Sequence, residues 1–516
     1  MYSGKNIRQQ KLDGIVKPFN LELDQTNRWI RMSQLMPWEE IEEKYAETFV
    51  NERNDGRRAK TAREAFGALL VQQMLGLSDR ETVEMIQENV YIQYFLGYHE
   101  FRRTRPFDAS SMVHFRKRIN LEMMSAINET LRQKMEAANS SKQKDESDRN
   151  DDQDASTPSQ QGTAEDNAAT PDTPNKGKLL LDATCVPTDI RFPTDLSLLN
   201  EGREKIEKMI DNVWEYLKVC YRKKPRNYRK KARKDYLNKA KKPGKKGVRK
   251  AIGKQLNYLK RDLNILEDLT QEAEEKGFYD IYTEKELEQI AVIRLMYTQQ
   301  QEMYDNNTHR VDNRIVSLWQ YWTRPIVRGK AKAPVEFGIK LEISVVDGFT
   351  EIEKISWNNF NESQGLMDSV ERYKAKYGCY PEAVLADKLY RNRKNLAYCK
   401  AHGIRLSGPK LGRPPKDQQL TKAYKKLEYT DSCERNAVEG KFGEAKRKYG
   451  LDRLTTKLKE TSETIVGLTV FTLNLKLYYR RSLRFLFIFF ILALFSLFLR
   501  FQTRNSSKDS LFAITC

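Results

Sequence analysis

The sequence predicts an α/β protein whose strand-and-helix core is interrupted by a long helical insertion and preceded by an all-helical region. Three observations predict it. Apolar residues recur at helical spacing before residue 138, strand-like apolar runs alternate with helical patterns after residue 178, and a basic, helix-patterned block lies between two of those runs. In the first region Thr61 to Leu75 reads as a helix. Ser78 and Glu81 form a capping-box signature for the next helix, and Ser110 to Ile119 starts another with Met112, Phe115 and Ile119 on one face. Short helices with many arginines fit either a helix-turn-helix DNA reader or a packing and dimerisation unit.

Asn139 to Lys178 contains no Val, Ile, Leu, Met, Phe, Tyr or Trp and is expected to be a disordered linker. Beyond it, Leu179-Leu180-Leu181 running into Asp182 reads as a buried strand, with Ala-Thr-Cys-Val as a second one. Val335 to Val346 alternates as a strand. Ala383 to Ala386 ends at Asp387, a helical stretch follows from about Arg391 to Ala401, and Ile404 to Leu406 is a further short strand. Between these runs, Ile206 to Leu217, Leu256 to Leu266 and Leu287 to Met303 carry helical apolar stripes. Tyr221 to Lys250 holds sixteen Lys or Arg against one acid, so it is expected at the tip of a helical hairpin or small bundle, displayed for contact.

Composition bounds the function. The 516 residues allow about three domains at roughly 150 each. Charged residues make up 31% and the mean hydropathy is −0.73, which excludes a multi-span membrane protein. Six scattered cysteines and four histidines, without a C-x-x-C pair, exclude a disulfide scaffold and a zinc site. No secretory signal marks the polar N-terminus, so the cytosol is the expected compartment, in association with the nucleoid. The formal charge of +20 calls for a polyanionic partner, nucleic acid first and an anionic membrane surface second.

Two acids end apolar strand patterns, Asp182 and Asp387, the place where open α/β sheets build their sites. Glu439 lies in a polar helix over Cys433 to Lys448, where Arg435 and Lys446 share its face at offsets of four and seven. Three carboxylates are a hard-oxygen set suited to Mg²⁺ or Mn²⁺. Two such ions serve phosphodiester chemistry, with Arg435 and Lys446 placed to hold a backbone phosphate. Arg229, Lys230 and Lys231 are the candidate phosphate contacts in the basic block.

With those residues in place, the chain resembles a bacterial DDE transposase of the insertion-sequence-five superfamily, in the branch with an InsH-like N-terminal domain. The resemblance rests on "RAKTAREAFGALLVQQMLGLSDRETVEMIQENVYIQYFLGYHEF" and "PFDASSMVHFRKRI" in the N-terminal part, and on "LLLDATCVPTDIRFPTDLSLLNEGREKIE" around Asp182. "RPIVRGKAKAPVEFGIKLEIS" matches the return to the core, "PEAVLADKLYRNRKNLAYCKAHGIRLSGPKLGRPPK" surrounds Asp387, and "RNAVEGKFGEAKRKYGLDRL" carries Glu439. The wider superfamily's tyrosine, arginine, glutamate, lysine signature keeps its last two gaps at Arg435, Glu439 and Lys446, while Ser432 stands at the tyrosine position.

The resemblance implies an RNase H-like core with Asp182, Asp387 and Glu439 as catalytic and metal-binding residues and two Mg²⁺ or Mn²⁺ ions as cofactors. It also implies cleavage at insertion-sequence ends and strand transfer into target DNA. Double-stranded DNA and a homodimer or higher oligomer are the expected partners, and no membrane partner is expected. The corresponding organisation is a helical N-terminal domain over 1–138 for end binding and dimerisation, a linker over 139–178, a core over 179–200 and 325–475, a helical basic insertion over 201–324 and an apolar tail over 476–516. The rivals are a catalytically inactive DNA-binding repressor derived from a transposase and a metal-dependent nuclease without strand transfer. Trp319 and Trp322, three apart, are expected to pack in the core, with base stacking the alternative. The Lys410 to Lys416 loop is expected at the surface, and the apolar run Phe485 to Leu499 is expected to pack on the core or a partner.

Overall fold

A computed structural model describes residues 23–49, 59–147, 174–220, 223–241, 244, 246–327, 335–409 and 418–484. The Lys410 to Lys416 loop and Phe485 to Leu499 lie outside the described residues.

The chain opens on seven helices among the described residues: α1 (Arg28–Leu35), α2 (Trp38–Glu47), α3 (Ala62–Leu75), α4 (Asp79–Glu88), α5 (Val90–Phe95), α6 (Ser111–Arg118) and α7 (Leu121–Ser147). Local chemistry fixes their ends. Thr61 caps α3 in a reciprocal box with Glu64, Gly76 closes it in the left-handed region at φ 68°, and Ser78 and Glu81 form the expected box on α4. α3 is buried on nearly every side, so it forms the axis of this cluster. The helix α7 continues to Ser147, so the polar stretch from Asn139 is helical for its first nine residues. At its other end Lys176 bonds to the Tyr380 carbonyl and Asn175 to the His402 carbonyl. The polar composition of the stretch is compatible with both a helix and a segment tied down by hydrogen bonds to backbone carbonyls.

The mixed α/β part contains β1 (Lys178–Pro187), helices α8 (Asp195–Leu217), α9 (Arg229–Ala240), α10 (Val248–Glu275) and α11 (Glu284–Asp305), then β2 (Arg324–Val327), β3 (Val335–Val346) and β4 (Phe349–Ser356). After these come α12 (Leu366–Tyr377), β5 (Ala383–Leu385), α13 (Arg393–Ala401), β6 (Arg405–Leu406) and α14 (Gln418–Lys448). A further helix, α15, spans 459–484. Among the described residues the strands make one sheet in the order β2-β3-β1-β5-β6, with β4 also paired to β3. β3 runs antiparallel to β1, whereas β5 is parallel to β1 and β6 to β5.

β1 corrects the expectation of two short strands, because Asp182 lies inside one ten-residue strand. The strand is apolar on both sides since both faces of the sheet are covered. Leu180 and Val186 join Val438, Phe442 and Ala445 of α14 on one face, and Leu179 and Leu181 join Val370, Tyr373 and Tyr390 on the other. Gly338 is required where β3 crosses β1, because a Cβ there would lie 2.1 Å from the Val186 carbonyl oxygen.

The insertion between β1 and β2 has its own core, Ile206, Ile210 and Val213 of α8 against Leu256, Leu259 and Leu263 of α10, with Ile293 and Met296 of α11. Its first helix starts at Asp195, six residues before the expected boundary. Within the basic run Arg229–Ala240 forms a helix of its own, α9, and Val248 to Lys250 open α10. α15 is shared between two cores. Leu468, Phe471 and Leu475 belong to the N-terminal helical core, while Val466 and Leu473 pack under the sheet. Gln73 of α3 donates to the Tyr449 carbonyl (2.6 Å) and to Thr469 Oγ1 (2.7 Å), so the N-terminal helices are bonded to the end of α14 as well. No described helix is long and apolar enough to cross a membrane.

Candidate active site

The site begins with register. Leu180 of β1 pairs with Leu385 of β5 in parallel, and two residues further on each chain stand Asp182 and Asp387. Adjacent strands lie about 4.8 Å apart, so the two aspartates are neighbours at one level of the sheet. Alternation sends Asp182 to the same face as Leu180, beneath α14. Asp387 sits where β5 ends and a single 3-10 turn, Lys388–Tyr390, begins; it is exposed and accepts the Lys388 amide at 2.6 Å.

Helix α14 crosses this face diagonally, and polar contacts fix the crossing. Asp431 pairs with Arg405 of β6, Glu434 with Lys178 at the start of β1 (2.7 Å), and Lys446 reaches the far part of β1, donating to Thr184 Oγ1 (3.0 Å) and the Cys185 carbonyl (2.8 Å). Between these anchors Arg435 lies over Asp182. Its guanidinium is 3.9 Å from Asp182 Oδ2 and 3.3 Å from Glu439 Oε1, so it links the strand acid to the helix acid. Lys446 therefore braces β1 two to three residues past Asp182.

Burial pushes the Asp182 carboxyl up to about 6, and the nearby Glu362 and Asp387 carboxylates add to the effect; the Ala183 amide (2.8 Å) and Arg435 oppose it. Glu362 was not evident in sequence. It lies in a 3-10 turn, Glu362–Gln364, held by Lys340 at 2.9 Å, and no periodicity marks it. A second buried acid, Glu342 of β3, accepts a hydrogen bond from the Tyr390 hydroxyl at 2.7 Å. Burial and the neighbouring Glu353 and Glu362 push it up to about 7.

Among the described residues no three His, Cys, Asp or Glu side chains stand close enough together to hold a metal ion jointly. The donor chemistry nevertheless suits a hard cation: Asp182 offers carboxylate oxygens whose ionisation is opposed by burial and by two nearby carboxylates, and added positive charge would relieve that opposition.

The candidate phosphate contacts divide. Lys230 and Lys231 are exposed on α9, whereas Arg229 is committed to Asp211 at 2.7 Å. Trp319 departs from the expected core packing: it is 67% exposed, with the Lys205 amine 3.4 Å from its ring centre, beside a cavity of about 660 Å³ that Phe192 and Tyr321 also line. Its partner Trp322 does pack inward, edge-on to Trp357. The segment before β2 has no regular structure, so a three-residue offset there does not place two side chains on one face.

Comparison with known families bears on this arrangement. A family model described as a transposase DDE domain matches residues 384–476, and one described as a transposase domain (DUF772) matches residues 19–118. Both matched segments are thus similar to domains of DDE-type insertion-sequence transposases. The first match takes in Asp387, Arg435, Glu439 and Lys446, and the second takes in α1 to α6. An uncharacterized protein, ORF8 in the nfe locus of Rhizobium meliloti, is 33% identical over 137 residues, which is 26% of this chain and 60% of that protein. No solved structure matches the chain.

Proposed function

We propose that this chain is a transposase of the insertion-sequence-five superfamily that cleaves DNA at the ends of its element and joins the freed ends to target DNA. The observation that carries the reading is Asp182 on β1, beneath the helix bearing Arg435 and Glu439, with Asp387 just past the end of the adjacent parallel strand β5. An antiparallel trio, β1, β3 and β4, followed by β5 and β6 parallel to β1, supports an RNase H-like core.

Asp182, Asp387 and Glu439 would hold two Mg²⁺ or Mn²⁺ ions. Ions so bound supply an activated water or 3′-hydroxyl on one side of a phosphodiester and stabilise the leaving oxygen on the other. Arg435 sits where it can pass from the acids to a phosphate oxygen of the scissile strand. Lys446 keeps α14 seated on β1 and so holds Arg435, with Glu439 beside it, over Asp182. Lys230 and Lys231 on the insertion attract the DNA backbone without sequence preference. The helices before residue 138 recognise the element's ends and contribute to an oligomer of at least two chains, since two ends must meet one target.

The test uses supercoiled plasmid carrying the element's ends, incubated with the protein and Mg²⁺. Cleavage followed by joining is the expected result. Cleavage alone would indicate a nuclease, and retention of DNA without cleavage a repressor; either outcome overturns the proposal.

A further inference from the structure

Asp387 stands on one exposed 3-10 turn, and such a turn has too few internal hydrogen bonds to hold a carboxylate in one direction. What holds it is Tyr390, the last residue of the turn and fully buried. The phenol donates to Glu342 Oε1 at 2.7 Å, and the Tyr390 carbonyl accepts from Asn395 Nδ2 at 2.9 Å. The same amide donates to the Ser363 carbonyl at 2.7 Å, which ties in the turn that carries Glu362. Glu342 is 1% exposed and lies on β3 directly opposite Ala183, the residue after Asp182. One buried hydrogen bond thus spans from the Asp387 turn to the strand pair that carries Asp182.

We propose that Tyr390 and Glu342 are a positioning pair that fixes the Asp387 carboxylate relative to Asp182. The proposal rests on the reading of those aspartates as metal ligands. Partners one step behind metal ligands change metal affinity or activity by roughly 10–100-fold when removed.

The experiment is Mn²⁺ binding to the full-length protein, followed by electron paramagnetic resonance of the free ion, alongside end cleavage at several Mn²⁺ concentrations. Tyr390→Phe, which removes only the hydroxyl, should weaken Mn²⁺ binding about tenfold or more. Its cleavage should fall at low Mn²⁺ and recover as the ion is raised. Glu342→Leu should behave alike, and Glu342→Gln, which keeps an acceptor oxygen for the phenol, should stay closer to the wild type. In an Asp387→Asn background the Tyr390→Phe shift should vanish. Wild-type affinity in Tyr390→Phe, or a shift that persists without Asp387, overturns the proposal. Should Tyr390→Phe fail to fold, wild-type affinity in Glu342→Leu does so instead. A wild-type protein that binds no Mn²⁺ sinks the metal-site reading itself and the positioning pair with it, whereas wild-type binding with no shift in the variants sinks the pair alone.

Discussion

Replacing Asp182 with Asn should stabilise the metal-free protein at pH 8 and leave it unchanged near pH 4. The folded-state value of about 6 lies above the ordinary 3.8, so folding favours the protonated acid. That contribution is intact below pH 3.8, declines as the pH rises, and is gone once the pH passes 6. The difference of roughly two units corresponds to about 3 kcal/mol at 1.36 kcal/mol per unit. Asp182 is 18% exposed, so solvent screening trims this figure only modestly. Asn has the shape of the acid without its charge and escapes the loss. Urea unfolding of wild type and Asp182→Asn, in chelator, should give a gap that opens between pH 4 and 6 and is constant above. Added Mg²⁺ should then close it from the wild-type side. A gap independent of pH, or its absence at pH 8, would refute the claim that this carboxylate is buried against like charge.

Other consequences follow from single contacts. Lys230→Ala with Lys231→Ala should weaken non-specific DNA binding and reduce the log-log salt slope by about 2, read from a salt titration. Arg229→Ala should instead cost under about 1 kcal/mol of stability through the half-exposed Asp211 pair, and leave that slope nearly unchanged. Gln73→Ala should cost about 1–3 kcal/mol, because the Tyr449 carbonyl and Thr469 hydroxyl each lose a buried donor or partner; unchanged urea unfolding would refute it.

Local signals found what local chemistry decides. The helical pattern from Thr61 and the box at Ser78 marked two helix starts, and the apolar runs before Asp182 and Asp387 marked strands of the sheet. The strand through Asp182 was longer than its apolar run suggested, because pairing with β3 carries it to Pro187. Arg435, Glu439 and Lys446 share a helix, yet only the crossing of α14 over β1 shows that Arg435 bridges two acids while Lys446 grips Thr184. Glu362 and the Tyr390–Glu342 bond join segments 48 residues apart or more and leave no periodic trace. α15 went unrecognised for a related reason: a helix buried on all sides between two cores lacks an amphipathic stripe.

Fe²⁺ substituted for Mg²⁺, with ascorbate and peroxide, cuts a polypeptide beside the residues that hold the ion. The account predicts three groups of cuts, near Asp182, Asp387 and Glu439, all suppressed by excess Mg²⁺. Cuts confined to one of these segments, or found only elsewhere in the chain, would contradict it.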